Sequence, residues 1–162
     1  MNVSKVVKSI CYNALIAALY VALVFIFSFM SYEAVQVRLA EVLIFLVIIN
    51  KRLTPGVVIG CFIANLIGPF GLIDAVVGSI ATLACCVLLS IFKKPWTGLL
   101  ILPLCNILVG LEISYIENLS FIPTLITIIW VMVGELISAI VGMLTIYSLK
   151  KNATITEFLN QI

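Results

Sequence analysis

Long apolar runs, separated by short polar stretches, dominate the chain. Bounded by charged residues, proline and glycine, the runs lie at residues 10–30, 37–49, 55–68, 74–92, 96–116 and 123–149. A membrane-spanning helix needs about 20 mostly apolar residues. The pattern therefore predicts an all-α integral membrane protein: one domain over residues 1–162, a compact bundle of six transmembrane helices with a tail at residues 152–162.

Composition supports this prediction. The 162 residues are 64% hydrophobic and only 10% charged, and the mean hydropathy is +1.34. A soluble domain carries roughly a quarter charged residues. The chain is therefore not a soluble domain, a disordered linker or a nucleic-acid-binding protein.

The basic residues predict an orientation. With cytoplasmic N- and C-termini, six spans place the pairs at residues 51–52, 93–94 and 150–151 in the cytoplasm with the N-terminal lysines. Arg38 is the exception, so the positive-inside rule favours this topology for a multi-pass protein of the plasma membrane. The apolar residues of the tail follow helical spacing and predict a turn on the inner membrane surface; they are Ile155, Phe158, Leu159 and Ile162.

The acidic residues cluster toward the opposite side. Glu41, Asp74 and Glu112 fall near outer helix ends, whereas Glu135 falls near the bilayer midplane. A charge at the centre costs about 2.5–3.5 kcal/mol on the insertion scale and normally faces the bundle interior. We therefore expect an outward-facing, acid-lined cavity that favours a cation or a donor-rich ligand. Trp130, about one turn before Glu135, would suit a flat cationic ligand.

The remaining polar residues of the helices allow two interpretations. Asn65 and Asn106 either hydrogen-bond between helices or contact a ligand. Arg38 is expected to form an internal ion pair with Glu41 or Asp74, since an unpaired buried arginine is poorly compensated. Asp74 could instead cap the fourth helix.

Three helices carry small residues at every fourth position, which lets helix backbones approach closely. The stripes serve either packing within the bundle or a groove for another subunit, and spacing alone does not separate the two. The residues are Ala14, Ala18 and Ala22; Gly60, Ala64 and Gly68; and Gly134, Ser138 and Gly142.

The sequence gives little support for an enzymatic function. The chain has no histidine and no C-x-x-C pair among its five cysteines, so zinc, haem and thiol–histidine sites lose their usual ligands. Motifs for acyl transfer, metalloproteolysis and ATP binding are absent from the sequence. We expect a binding protein without cofactor or metal that depends on partners for energy; the alternative is an oligomeric channel or a secondary carrier.

Three motifs carry a family resemblance. Residues 35–41 (VQVRLAE) resemble the start of the second helix in QueT-type proteins. Residues 65–74 (NLIGPFGLID) and 78–83 (GSIATL) are similar to the central signature of that family, and residues 133–135 (VGE) to its sixth-helix motif. The resemblance runs in the same order over residues 9–150.

QueT-type proteins are substrate-binding S-components of energy-coupling factor (ECF) transporters, a class of ABC importers of vitamins. The resemblance implies capture of a queuosine precursor (7-aminomethyl-7-deazaguanine, queuine or a relative) from outside. It also implies delivery by toppling on a transmembrane coupling subunit that is driven by two ATPase subunits in a prokaryotic membrane. The coupling surface would be Ala14, Ala18 and Ala22. Another vitamin remains an alternative substrate.

The hydrogen-bonding groups of a deazaguanine substrate suggest roles for the polar residues. A carboxylate accepts two hydrogen bonds from a guanine edge or pairs with an ammonium group, and asparagine offers both a donor and an acceptor. We therefore assign Glu135 to the guanine edge or the amine. Further contacts are expected from Glu41, Asn65, Asn106 and Glu112, stacking from Trp130, Tyr115 or Phe70, and lining of the site by Arg38 and Asp74.

Overall fold

The computed structural model describes residues 3–31, 37–152, 156–157 and 159, and all secondary structure within this part is helical. The all-α prediction is confirmed. Residues 32–36, and Ile155, Phe158 and Ile162 of the predicted tail turn, lie outside the described residues. The α-helices are α1 (Val3–Ile26), α2 (Ser28–Ser31), α3 (Thr54–Ile67), α4 (Gly71–Phe92), α5 (Gly98–Cys105), α6 (Ile107–Ile116) and α7 (Phe121–Lys151). The 3₁₀ helices are Leu39–Ile48, Lys51–Leu53 and Pro95–Thr97.

Four apolar helical stretches are long enough to cross a bilayer, which indicates a multi-pass membrane protein. They are Val6–Ile26, Gly71–Phe92, Pro95–Ile116 and Phe121–Lys151. The other two apolar runs form shorter helices, since the 3₁₀ helix Leu39–Ile48 has 10 residues and α3 has 14. At about 1.5 Å per residue, α3 covers roughly 21 Å of a hydrocarbon core that is about 30 Å thick.

The 3₁₀ helix Leu39–Ile48 occupies the centre of the bundle. It packs against α1, α4 and α7, and most of its side chains are buried. Its Phe45 ring is wedged between Gly98 and Gly142, because a Cβ atom on either glycine would overlap the ring. The two glycines therefore leave the space that the Phe45 ring of the central helix occupies.

The three stripes of small residues have different surroundings. Gly60 of α3 lies against α1, where an added Cβ would come within 3.0 Å of the Ala17 Cα atom. The stripe on α7 is also buried, at Gly134, Ser138 and Gly142. The stripe on α1 is exposed at all three positions, Ala14, Ala18 and Ala22. Bundle packing thus accounts for the α7 stripe and for the inner part of the α3 stripe, but not for the stripe on α1.

We expect Gly142→Ala to destabilise the bundle by about 1–3 kcal/mol, the usual cost of overpacking a core. Phe45 cannot retreat from the new methyl group, because Gly98 holds the other side of the ring. The measurement is the apparent Tm of the purified protein in detergent. Ser148→Ala, at an exposed position of the same helix, is the control and should change stability by less than about 0.5 kcal/mol. Equal Tm values for the two variants would contradict the wedge.

Candidate substrate-binding site

A buried ion pair joins the start of the central 3₁₀ helix to α4. Nη2 of Arg38 lies 3.5 Å from Oδ1 of Asp74, and the two side chains are 3% and 1% exposed. Asn65 of α3 completes the group: its Oδ1 accepts a hydrogen bond from Arg38 Nη1 at 3.4 Å, and its Nδ2 donates to Asp74 Oδ1 at 3.3 Å. Arg38 is therefore paired with Asp74, whose side chain does not cap α4.

The close approach of Asn65 to α4 depends on Gly78. This glycine lies one turn after Asp74 on the buried face of α4, and a Cβ there would collide with the Asn65 amide nitrogen. Packing thus explains why a glycine stands at position 78. The small residue leaves space for the Asn65 amide of α3 to hydrogen-bond the Asp74 carboxylate of α4.

A second polar group lies between the 3₁₀ helix, the α5–α6 junction and α7. Oε2 of Glu41 accepts a hydrogen bond from Asn106 Nδ2 at 3.4 Å, and the carboxyl group of Glu41 lies beside that of Glu135. Asn106 follows Pro103 at the break between α5 and α6, and its Nδ2 also donates to the Leu102 carbonyl at 3.1 Å. Discontinuous membrane helices often form binding sites at their breaks.

Glu112 of α6 is the fourth buried acid. It lies close enough to Asp74 and Arg38 for their charges to act on it. Neither of its carboxylate oxygens has a hydrogen-bond partner among the described residues. The two polar groups and Glu112 therefore converge on one region of the bundle interior.

Several oxygens of the acids lack partners, although buried polar atoms are nearly always hydrogen-bonded. Among the described residues these are Oε1 of Glu41, Oδ2 of Asp74, both oxygens of Glu112 and Oε2 of Glu135. The only basic side chain in contact with them, within the described part of the chain, is Arg38, which Asp74 already engages. A cluster with this excess of acid can accept a cation and several donated hydrogen bonds.

The side chains of the four acids, Glu41, Asp74, Glu112 and Glu135, are all buried. Close packing on glycine contributes to this burial, because Gly78 brings α3 against α4 and Gly142 brings α7 against the central helix. The outward-facing, acid-lined cavity stays a prediction. Within the part of the chain that the structure describes, no three His, Cys, Asp or Glu side chains are placed to hold a metal ion.

The structure does not bring the predicted aromatic rings together at the acids. Trp130 and Tyr115 are 45% and 79% exposed on the outside of the bundle. Trp130 precedes Glu135 by five residues, which is roughly 140° around the helix, whereas Val131 precedes it by one full turn and is buried. Phe70 is partly buried and packs against a small apolar cluster that includes Val131.

Sequence patterns did not identify Tyr20, Thr82 and Cys61, which border the acids. Tyr20 is fully buried, and its hydroxyl contacts the Cys61 side chain. The Tyr20 side chain lies close enough to Glu41 and Arg38 to interact with them electrostatically. The Thr82 hydroxyl donates to Cys61 Sγ at 3.2 Å. The available signal was Tyr20 itself, a phenol in the apolar second half of α1, on the face opposite the alanine stripe.

Two comparisons with known proteins found similar sequences. The family model described as QueT transporter matches residues 10–151. Among individual proteins, the Queuosine precursor transporter QueT of Lactococcus lactis subsp. cremoris (strain MG1363) is similar to this chain. It is 29% identical over 164 aligned positions, which cover 89% of this chain and 93% of the relative. No solved structure matches the chain.

The family match includes every helix that contributes to the acid cluster, from the central 3₁₀ helix to α7. It also agrees with the four helices that are long enough to cross a membrane. The protein is thus a transporter and not an enzyme, and it belongs to the QueT transporter family.

Proposed function

We propose that this chain is the substrate-binding S-component of an ECF-type importer and captures a cationic 7-deazaguanine precursor of queuosine. The observation that carries the proposal is the contact between the Glu41 and Glu135 carboxyl groups inside the bundle. Two buried carboxylates in contact repel each other unless a proton or a cation compensates them. The name of the Lactococcus relative supports the class of substrate.

The chemistry of 7-aminomethyl-7-deazaguanine matches these groups. Its ammonium arm is a cation, and its guanine edge presents an N–H and an amino group to a single carboxylate. Glu135 accepts from the edge or from the ammonium, and Glu41 and Glu112 supply further carboxylate oxygens. The Asn106 amide, which already donates to Glu41, and the Asn65 amide provide the remaining polar contacts.

Arg38 shapes the site without occupying Glu41 or Glu135. Because Asp74 and Asn65 hold the guanidinium, the carboxyl oxygens of Glu41 and Glu135 remain available to the substrate. The interaction between Arg38 and Asp74 also fixes the start of the 3₁₀ helix, which carries Glu41 one turn further on.

The exposed alanine stripe of α1 is proposed as the docking surface for the transmembrane coupling subunit. Ala14, Ala18 and Ala22 leave a shallow face where a partner helix can approach closely. With both termini in the cytoplasm of a prokaryotic cell, two ATPase subunits on that side would drive delivery. The S-component would topple in the plasma membrane to release its substrate inward.

A ligand panel tests the function directly. We expect 7-aminomethyl-7-deazaguanine to raise the Tm of the detergent-purified protein, because a ligand at about 100 times its Kd adds roughly 2.7 kcal/mol to folded-state stability. The nitrile analogue and guanine lack the cationic arm and should give smaller shifts. A shift with an unrelated vitamin would overturn the substrate but keep the transporter class. No shift with any compound would favour a channel or a secondary carrier.

Glu135→Gln should weaken binding of the aminated deazaguanine by more than tenfold, since the neutral amide loses the charge-assisted bonds. Isothermal titration calorimetry in detergent measures the affinity. Glu117→Gln is the matched control, because Glu117 is an exposed acid beyond the end of α6, and its affinity should stay within twofold of wild type, roughly the scatter expected for a distant surface change. Unchanged affinity in Glu135→Gln would remove this residue from the site.

Ala18→Leu should reduce uptake by cells that express the complete transporter, while substrate binding by the purified subunit persists. The larger side chain would hold a partner helix away from α1. Thr145→Leu adds a comparable apolar side chain at an exposed position of α7 and should leave uptake unchanged. If Ala18→Leu abolishes binding as well, the stripe belongs to the packing of the bundle and not to a docking surface.

A further inference from the structure

A cavity of about 430 Å³ lies at the basic end of the bundle, where the central 3₁₀ helix and α4 both end. Three cationic side chains from two different turns line it, namely Lys51, Arg52 and Lys93. Asn50 and Ser90 add polar groups, and no acidic side chain is among the described residues that line it. The cavity is separate from the acid cluster and shares no lining residue with it.

Hydrogen bonds fix the turn that carries two of these cations. Oδ1 of Asn50 accepts from the Arg52 backbone N–H at 3.0 Å, and its Nδ2 donates to the Leu159 carbonyl at 2.9 Å. Asn13 of α1 donates from Nδ2 to the Arg52 carbonyl at 3.0 Å. Because both asparagines are engaged with backbone groups, Lys51 and Arg52 extend from a turn that is tied to α1 and to the chain beyond α7.

The end of α4 forms another part of the cavity wall. Lys93 has a left-handed backbone with φ of 54°, and its N–H donates to the Leu89 carbonyl at 2.9 Å. This conformation costs a non-glycine residue free energy. It ends the helix, and Lys93 lines the cavity together with Lys51 and Arg52.

An apolar groove of about 460 Å³ adjoins the cavity. It shares Lys51 and Arg52 and continues over Pro55, Val58 and Ile59 of α3 to Leu83 of α4. Ile91, which is 66% exposed, lines the basic cavity itself. A polar cavity with three cations is therefore continuous with a hydrocarbon surface along the two helices, and this combination matches an amphipathic ligand.

We propose that the cavity binds the phosphate of an anionic glycerophospholipid, with an acyl chain in the groove between α3 and α4. Lysine and arginine form charge-assisted hydrogen bonds with phosphate oxygens, and basic pockets at one face of a membrane protein bind anionic headgroups. The positive-inside rule explains why cations occur at this end, but not why cations from two turns converge on one cavity. A soluble phosphate would use the cations and leave the groove unfilled.

The test compares two double variants that lose the same charge at the same end of the bundle. Lys51→Gln/Lys93→Gln removes two cations of the cavity, whereas Lys150→Gln/Lys151→Gln removes two exposed cations from the end of α7. Native mass spectrometry of the full chain in detergent, titrated with dioleoylphosphatidylglycerol, gives the affinity. Each basic side chain near an anionic lipid strengthens binding roughly fivefold, so the cavity variant should bind about 25-fold more weakly and the α7 variant less than fivefold more weakly.

Three further measurements make the result decisive. Lys51→Arg/Lys93→Arg keeps the charge and should retain affinity, which separates a lost site from a misfolded protein. Dioleoylphosphatidylcholine should bind more weakly than phosphatidylglycerol in wild type. Equal losses in the two glutamine variants would overturn the site in favour of diffuse surface charge. Inorganic phosphate binding as tightly as phosphatidylglycerol would overturn the lipid in favour of a soluble anion.

Discussion

The cost of burying Arg38 organises the interior of this protein. A guanidinium inside a bundle is strongly destabilising unless a carboxylate and other acceptors meet it, and here Asp74 and Asn65 do so. This requirement brings together the start of the central 3₁₀ helix, the last turn of α3 and the first turn of α4. Gly78 permits the approach. Glu41 follows Arg38 by one 3₁₀ turn and lies beside Glu135 of α7.

The four buried acids thus serve two different purposes. Asp74 pairs with Arg38 and holds helices together, whereas Glu41, Glu112 and Glu135 form no ion pair within the described chain. Because the Arg38–Asp74 ion pair already holds the helices around them in place, the bundle can tolerate the uncompensated acids. This separation between a structural ion pair and unpaired carboxyl groups supports the proposal that the cluster binds a substrate.

The sequence predicted the helical class and most of the polar cluster, because apolar length and buried charge are local signals. It did not separate the three stripes of small residues, since exposure depends on which neighbour lies opposite, and only the structure shows Ala18 outside and Gly142 inside. The predicted aromatic residues do not lie together at the acids, and for Trp130 the reason is geometric. Trp130 lies five residues before Glu135, and this spacing places the two side chains on different faces of α7.

The 3₁₀ geometry of the central helix was also hidden, because an almost uniformly apolar segment has no readable period. Three residues per turn and a rise of about 2 Å per residue set a rule for how this segment can change in evolution. An insertion or deletion of three residues preserves the face on which Arg38 and Glu41 lie and changes the reach by about 6 Å. A change of one or two residues rotates Glu41 away from Glu135. Length variation among relatives is therefore expected in multiples of three here, and near multiples of seven in the surrounding α-helices, where two turns span about seven residues.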